Sequence, residues 1–195
     1  MTALLSRIYA EIVDASRGRM WQPRLLLWCY LAYVGWRQFR DPESWNIFLG
    51  INPPIHEGGH VIFHPFGQFL MFCGGTITQC CAPLIAVGMF IQQRDYFAIS
   101  FALGWLSTNL FGVGIYMADA NVQVLPLISL GDVALHDWFY IFGKLGLLRH
   151  AETIGALTRC MAHLTMLAAL VGGAWIMFEM FRNKAEPPGK KRGAL

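Results

Sequence analysis

From Tyr96 to Met117 the chain carries no charged residue, and this stretch constrains the fold more than any other. Its length and character match the ~20 apolar residues that a helix needs to cross a bilayer. In hydrocarbon every backbone N–H and C=O must be satisfied internally, so such a stretch is a helix. Thr76–Ile91 is likewise uncharged, and Thr153–Phe181 is mostly apolar. Of the 195 residues 55% are hydrophobic and 14% charged, against about a quarter charged in a soluble domain. The expectation is an all-α, polytopic integral membrane helix bundle of roughly four to six transmembrane helices, in contact with the lipid bilayer. Residues 1–182 form one membrane-embedded domain and residues 183–195 a basic disordered tail.

Charge is placed at the ends. Arg7, Arg17, Arg19 and Arg24 precede the first apolar run, and Arg182, Lys184, Lys190, Lys191 and Arg192 follow the last. By the positive-inside rule both termini face the cytoplasm, which suits a bacterial inner membrane and not nucleic-acid binding. Residues 1–20 read as an amphipathic helix on the membrane surface or packed on the bundle. Leu4, Leu5, Ile8, Tyr9, Ile12 and Val13 share one face of it, with Arg7, Glu11 and Asp14 on the other. Leu25–Trp36 is short for a span, and suits a signal anchor or an interfacial segment rather than a cleavable signal. The five cysteines show no C-x-x-C spacing and read as free buried thiols.

The polar residues inside apolar surroundings carry the functional reading. His56-Glu57-Gly58-Gly59-His60 is an H-E-x-x-H motif. On a helix, residues four apart share a face, so His56 and His60 can hold one metal ion. Glu57 is placed to take a proton from a water activated there. The plainer alternative is a helix start whose histidines sit at the membrane interface. Pro53-Pro54 is expected to break any preceding helix, with Pro54 just before or within the first turn of the motif helix. That helix is expected to reach about Phe72, with a kink or early stop at Pro65, and Gly74-Gly75 to separate it from the next. Val124–Leu148 is either a loop followed by an amphipathic helix from Asp137 or a polar span, giving four, five or six crossings.

A catalytic zinc usually takes three protein ligands and keeps a fourth position for water. His64 lies too far along the same helix. His136 and Asp137 are the better candidates: one as ligand, the other to orient a ligand, with Gly131 allowing the chain to bend. Asp119 and Asp132 are weaker candidates. Asn109 either steadies an oxyanion, supports a ligand or bonds a neighbouring helix. One zinc per chain suits these residue types, and iron or manganese is compatible with them.

These motifs resemble a known class. H-E-x-x-H at the start of a membrane helix, followed by Gly-Gly and a later intramembrane Asp, is similar to the site-2-protease class of membrane-embedded zinc metallopeptidases. A closer resemblance is to a group of uncharacterised bacterial membrane proteins in which H-E-A-G-H recurs with G-E-F-L, Q-N-L-L, Y-x-A-D-A and G-H-D-W stretches. The matching residues are His56-Glu57-Gly58-Gly59-His60, Gly67-Gln68-Phe69-Leu70, Thr108-Asn109-Leu110-Phe111, Tyr116-Met117-Ala118-Asp119-Ala120 and Leu135-His136-Asp137-Trp138. The resemblance covers roughly residues 50–160, and His136-Asp137-Trp138 stands where the protease class carries an Asn/Leu-Asp-Gly motif. It implies hydrolysis of a peptide bond within or near the membrane, in a membrane-protein substrate. Two other readings stand beside it. One is a non-catalytic metal-binding subunit of a larger membrane complex, with partner subunits. The other is a haem protein using two histidines such as His60 and His163, which gives Glu57 no task.

Overall fold

The computed structural model describes residues 2–41, 44–125 and 136–183. It is all-helical, with no strand among the described residues. The helices are α1 (Thr2–Ser16), α2 (Gln22–Arg40), α3 (Phe48–Phe63), α4 (Gln68–Gln92), α5 (Tyr96–Ala118), α6 (Asp137–Leu145) and α7 (Ala151–Arg182). A 3₁₀ turn, His64–Phe66, links α3 to α4, and another, Leu148–His150, leads into α7. Three helices are long and apolar enough to cross a bilayer: α4, α5, and α7 with its preceding turn. They mark an integral membrane protein.

Antiparallel α5 and α7 form the spine. Gly114 meets Gly155, Ser107 Oγ donates to the Ala162 carbonyl at 2.7 Å, and Ser100 lies against Gly173. A methyl at Gly114 would stand 2.8 Å from the Gly155 carbonyl oxygen, so only small residues allow this approach. Helix α2 lies on the same pair: Trp28 Nε1 donates to the Leu170 carbonyl at 2.8 Å, and Leu31 fills the space over Gly104. Asp95 caps α5 through the Ala98 N–H and pairs with Arg19 and Arg24. Arg94 faces Glu11 and Asp14 of α1. These pairs, and the Gly18 N–H to Asn183 carbonyl bond, gather both ends of the described chain at one end of the bundle.

On α1, Tyr9 stacks on Trp175 and Ile12 joins a buried cluster of Phe97, Ile176, Met177 and Met180. Leu4, Leu5 and Ile8 of its apolar face stay exposed.

On the other flank of α5 lie α4 and α3. The pair Gly74-Gly75 does not separate two segments, as expected from sequence; both residues are buried inside α4. Their missing side chains bring α3 against α4. A Cβ on Gly74 would stand 2.6 Å from the Gly59 carbonyl oxygen, and one on Gly59 would collide with the Gly74 carbonyl. Pro53 and Pro54 likewise sit inside α3, not ahead of it. Their missing N–H groups leave the Leu49 and Gly50 carbonyls without intrahelical donors, and both residues are exposed. The motif helix stops at Phe63, ahead of Pro65, instead of reaching Phe72. Gly67 then turns the chain at φ +94°, which a side chain would resist.

Helix α3 is short and begins deep. Phe48 stacks on Trp105 and packs on Phe101 of α5, and the Ile47 N–H reaches Tyr30 Oη in mid-α2. From there α3 runs outward, towards the end where α2 and α5 finish. Within Val124–Leu148 the described helix is the nine-residue α6, too short to cross a bilayer. Residues 126–135, with Gly131 and Asp132, and the tail from 184 lie outside the described residues. The cysteines are free as expected, but Cys29, Cys81 and Cys160 are exposed on outer helix faces and not buried.

Candidate metal centre

The centre lies where α3, α4, α5 and α6 meet. Helical spacing puts His56 and His60 on the face of α3 that meets α4, with ring centroids 4.8 Å apart. Gly75 makes room for the first ring: a methyl there would stand 2.5 Å from His56 Nε2. Glu57, half-buried, completes a His-Glu-His group whose ligand atoms lie within 4.8 Å of one another and which could hold a metal ion.

Asp137 reaches the same point from the first turn of α6. Its Oδ2 lies 2.9 Å from His56 Nε2 and 3.4 Å from His60 Nε2. Ligand atoms on a tetrahedral zinc, ~2.0–2.1 Å from the ion, stand about 3.3 Å from one another. The two carboxylate-to-imidazole separations are close to that value.

The outer nitrogens of both histidines are committed elsewhere. His60 Nδ1 lies 2.8 Å from the Met71 carbonyl, which can only accept, so Nδ1 carries the hydrogen. For His56 the assignment runs through a buried amide chain. Asn109 Nδ2 donates to the Gln79 carbonyl at 2.7 Å, leaving Asn109 Oδ1 to accept from Gln79 Nε2 at 3.2 Å. Gln79 Oε1 thus faces His56 Nδ1 at 2.9 Å and accepts from it. Each neutral ring then turns an Nε2 lone pair towards the Asp137 carboxylate. Three electron-pair donors converge, and only a cation or shared protons can relieve that arrangement.

Protons relieve it in the metal-free chain. Both groups lie outside the three long helices. Hydrogen bonding to Asp137 raises His60 to about 9, against the opposing effect of burial. Burial pushes the Asp137 carboxyl up, but its hydrogen bonds with His56 and His60 prevail and hold it below the usual carboxylate range.

His136 is not brought to this cluster. It is the N-cap of α6: its Nδ1 accepts from the Phe139 N–H at 3.2 Å, and its ring lies 4.1 Å from that of Tyr116. Its buried Nε2 lies 3.4 Å from Asp119 Oδ2 without an aligned hydrogen bond. Burial lowers the His136 pKa, as suits a neutral cap. Asp119 also accepts from the Val124 and Leu125 N–H groups, so it holds the chain leaving α5. Asn109, fully buried and bonded through both its amide oxygen and its amide nitrogen, bridges α5 to α4 and steadies Gln79. Tyr116 Oη accepts from the Asp137 N–H at 3.1 Å and fixes the start of α6 beside the cluster. His64 is exposed, and His163 packs between Phe39 and Phe111 on the α2 side of the spine.

Gln79 and Met71 belong to the centre though no sequence motif marks them, and Tyr116 and Gly75, which do lie in quoted motifs, join it as supports. Gln79 carried a usable signal: it is a polar side chain in an apolar run, four residues after Gly75 and so on one helical face with it. Compared with models of protein families, with curated proteins and with solved structures, the chain matches none.

Proposed function

We propose that the chain is a membrane-embedded zinc metallopeptidase whose metal is held by His56, His60 and Asp137. The observation that carries this reading is that two Nε2 lone pairs lie 2.9 and 3.4 Å from one carboxylate oxygen, with both Nδ1 hydrogens bonded outward. A bound zinc would supply Lewis acidity, acidifying a water and polarising a peptide carbonyl. Glu57, next to His56 and half-buried, takes the proton from the attacking water and delivers it to the leaving amine. Asp137 balances the ion's charge, and Gln79 and the Met71 carbonyl hold the imidazoles in the binding tautomer. The substrate is a locally unwound membrane segment, because an intact helix keeps its carbonyls bonded. The basic end of the bundle faces the cytoplasm, α1 lies along that surface, and α2 makes a fourth crossing.

One observation favours a second reading, a non-catalytic metal-binding subunit. The Glu57 carboxylate lies close enough to both histidines to be a ligand itself. With Asp137 it would close the site at four protein ligands, as in structural zinc centres. Glu57→Gln separates the two. A catalytic base predicts about one zinc per chain retained and peptide cleavage lost. A fourth ligand predicts that the zinc is lost too. Absence of zinc from the wild type, with His60→Ala as control, would sink both readings.

A further inference from the structure

On the opposite flank of the spine from the metal centre, a cavity of about 290 Å³ opens between α2, α5 and α7. Gln38 and Phe39, Phe111 and Ile115, and Arg159 and His163 line it, two residues from each helix. Arg159 sits eight residues into α7, about 12 Å along its axis. Its guanidinium has neither an ion pair nor a hydrogen-bond partner among the described residues. An arginine in a membrane helix is costly unless something opposes its charge. Gln38 lines the same cavity, and its carboxamide, open to that space, has no protein partner among the described residues.

These groups have one complement. The guanidinium, the Gln38 amide and the His163 ring, on the same face of α7 as Arg159, all offer N–H donors to a shared space. No acidic side chain among the described residues lines it. Nearby, Phe39 and Trp36 on the outer face of α2 are 70% and 59% exposed, an aromatic border of the kind found at lipid headgroup depth. We infer that this cavity binds a phosphate-type oxyanion through Arg159, Gln38 and His163. Opening on the flank of the bundle, it takes that oxyanion as the phosphodiester of an anionic lipid, whose acyl chains remain outside. The site is independent of the metal chemistry.

The test is native mass spectrometry of the detergent-purified protein titrated with phosphatidylglycerol, phosphatidylcholine or inorganic phosphate. The wild type should bind phosphatidylglycerol in preference to phosphatidylcholine. Arg159→Gln should weaken that binding roughly tenfold or more, the loss expected for a charge-assisted hydrogen bond, and Arg159→Lys by less. Binding of inorganic phosphate that Arg159→Gln abolishes, without lipid preference, would keep the oxyanion site and overturn the lipid as its source. Equal binding of both lipids, or phosphatidylglycerol binding untouched by Arg159→Gln, would overturn the inference. Should Arg159→Gln not fold, Gln38→Leu and His163→Phe take its place. Unchanged affinity in both would be equally decisive against it.

Discussion

Gly75→Ala is the substitution that most directly probes the metal centre. The added methyl would stand 2.5 Å from His56 Nε2 and 2.7 Å from its Cδ2 and Cε1. Ordinary van der Waals contact begins near 3.4 Å, so the ring has to retreat by roughly 1 Å. Metal–ligand distances tolerate about 0.2 Å. A retreat of that size removes His56 as a ligand and breaks its bond to Gln79. Zinc affinity should fall at least 100-fold, measured by competition with a chromophoric chelator in detergent. The clash is with a ring that can swing away, so overpacking should cost the metal-free fold no more than about 1–3 kcal/mol. Gly59→Ala is the contrast, because its methyl would collide with the backbone carbonyl of Gly74 and force α3 off α4. If Gly75→Ala binds zinc as tightly as the wild type, the ring does not occupy the space assigned to it, and the geometry argued above is wrong.

Gln79→Leu should cost roughly 10–100-fold in zinc affinity by freeing the His56 ring, and about 1–3 kcal/mol of stability by leaving the buried Asn109 oxygen unpaired; chelator competition and thermal unfolding measure the two losses separately. A stable protein with unchanged affinity would remove Gln79 from the centre. The pH dependence has a definite sign. His60 is raised to about 9 in the metal-free fold, so at neutral pH an incoming metal ion displaces its proton. Zinc affinity should rise up to about tenfold per pH unit from pH 7 and level off near 9. Stability of the metal-free protein runs the other way: the raised pKa contributes fully below about 6.5 and its contribution is lost as pH passes 9. A flat affinity profile across this range would mean that His60 does not bind the ion.

Some of this was legible in the sequence for a physical reason. The pairing of His56 and His60 is local, fixed by helical period alone, and the long apolar runs dictate helices wherever the chain meets lipid. Between His136 and Asp137 the sequence could not choose, because adjacent residues point in different directions and only the docking of α6 decides which faces inward. The structure places His136 at the helix cap, bonded to the Phe139 N–H, and Asp137 one residue later beside the histidines. Local breaker rules misplaced Gly74-Gly75 and Pro53-Pro54. Two glycines in an apolar run can mark an interruption or a close helix crossing, and only the partner α3 tells which. Asn109 and Gln79 are both polar side chains in apolar runs, and only the packing of α5 on α4 shows that each is the other's partner.

The shortness of α3 and α6 sets an order of assembly. Helices α4, α5 and α7 can each be held by the bilayer alone, but neither carrier of the proposed ligands can. The first starts deep against Phe101 and Trp105, and the second is held by Tyr116 Oη and by Tyr140 stacked on Phe72. The scaffold can therefore be inserted and packed before the centre exists. The last pieces to dock bring the histidines and the aspartate together, so an ion that binds all three acts as the latch that closes the fold.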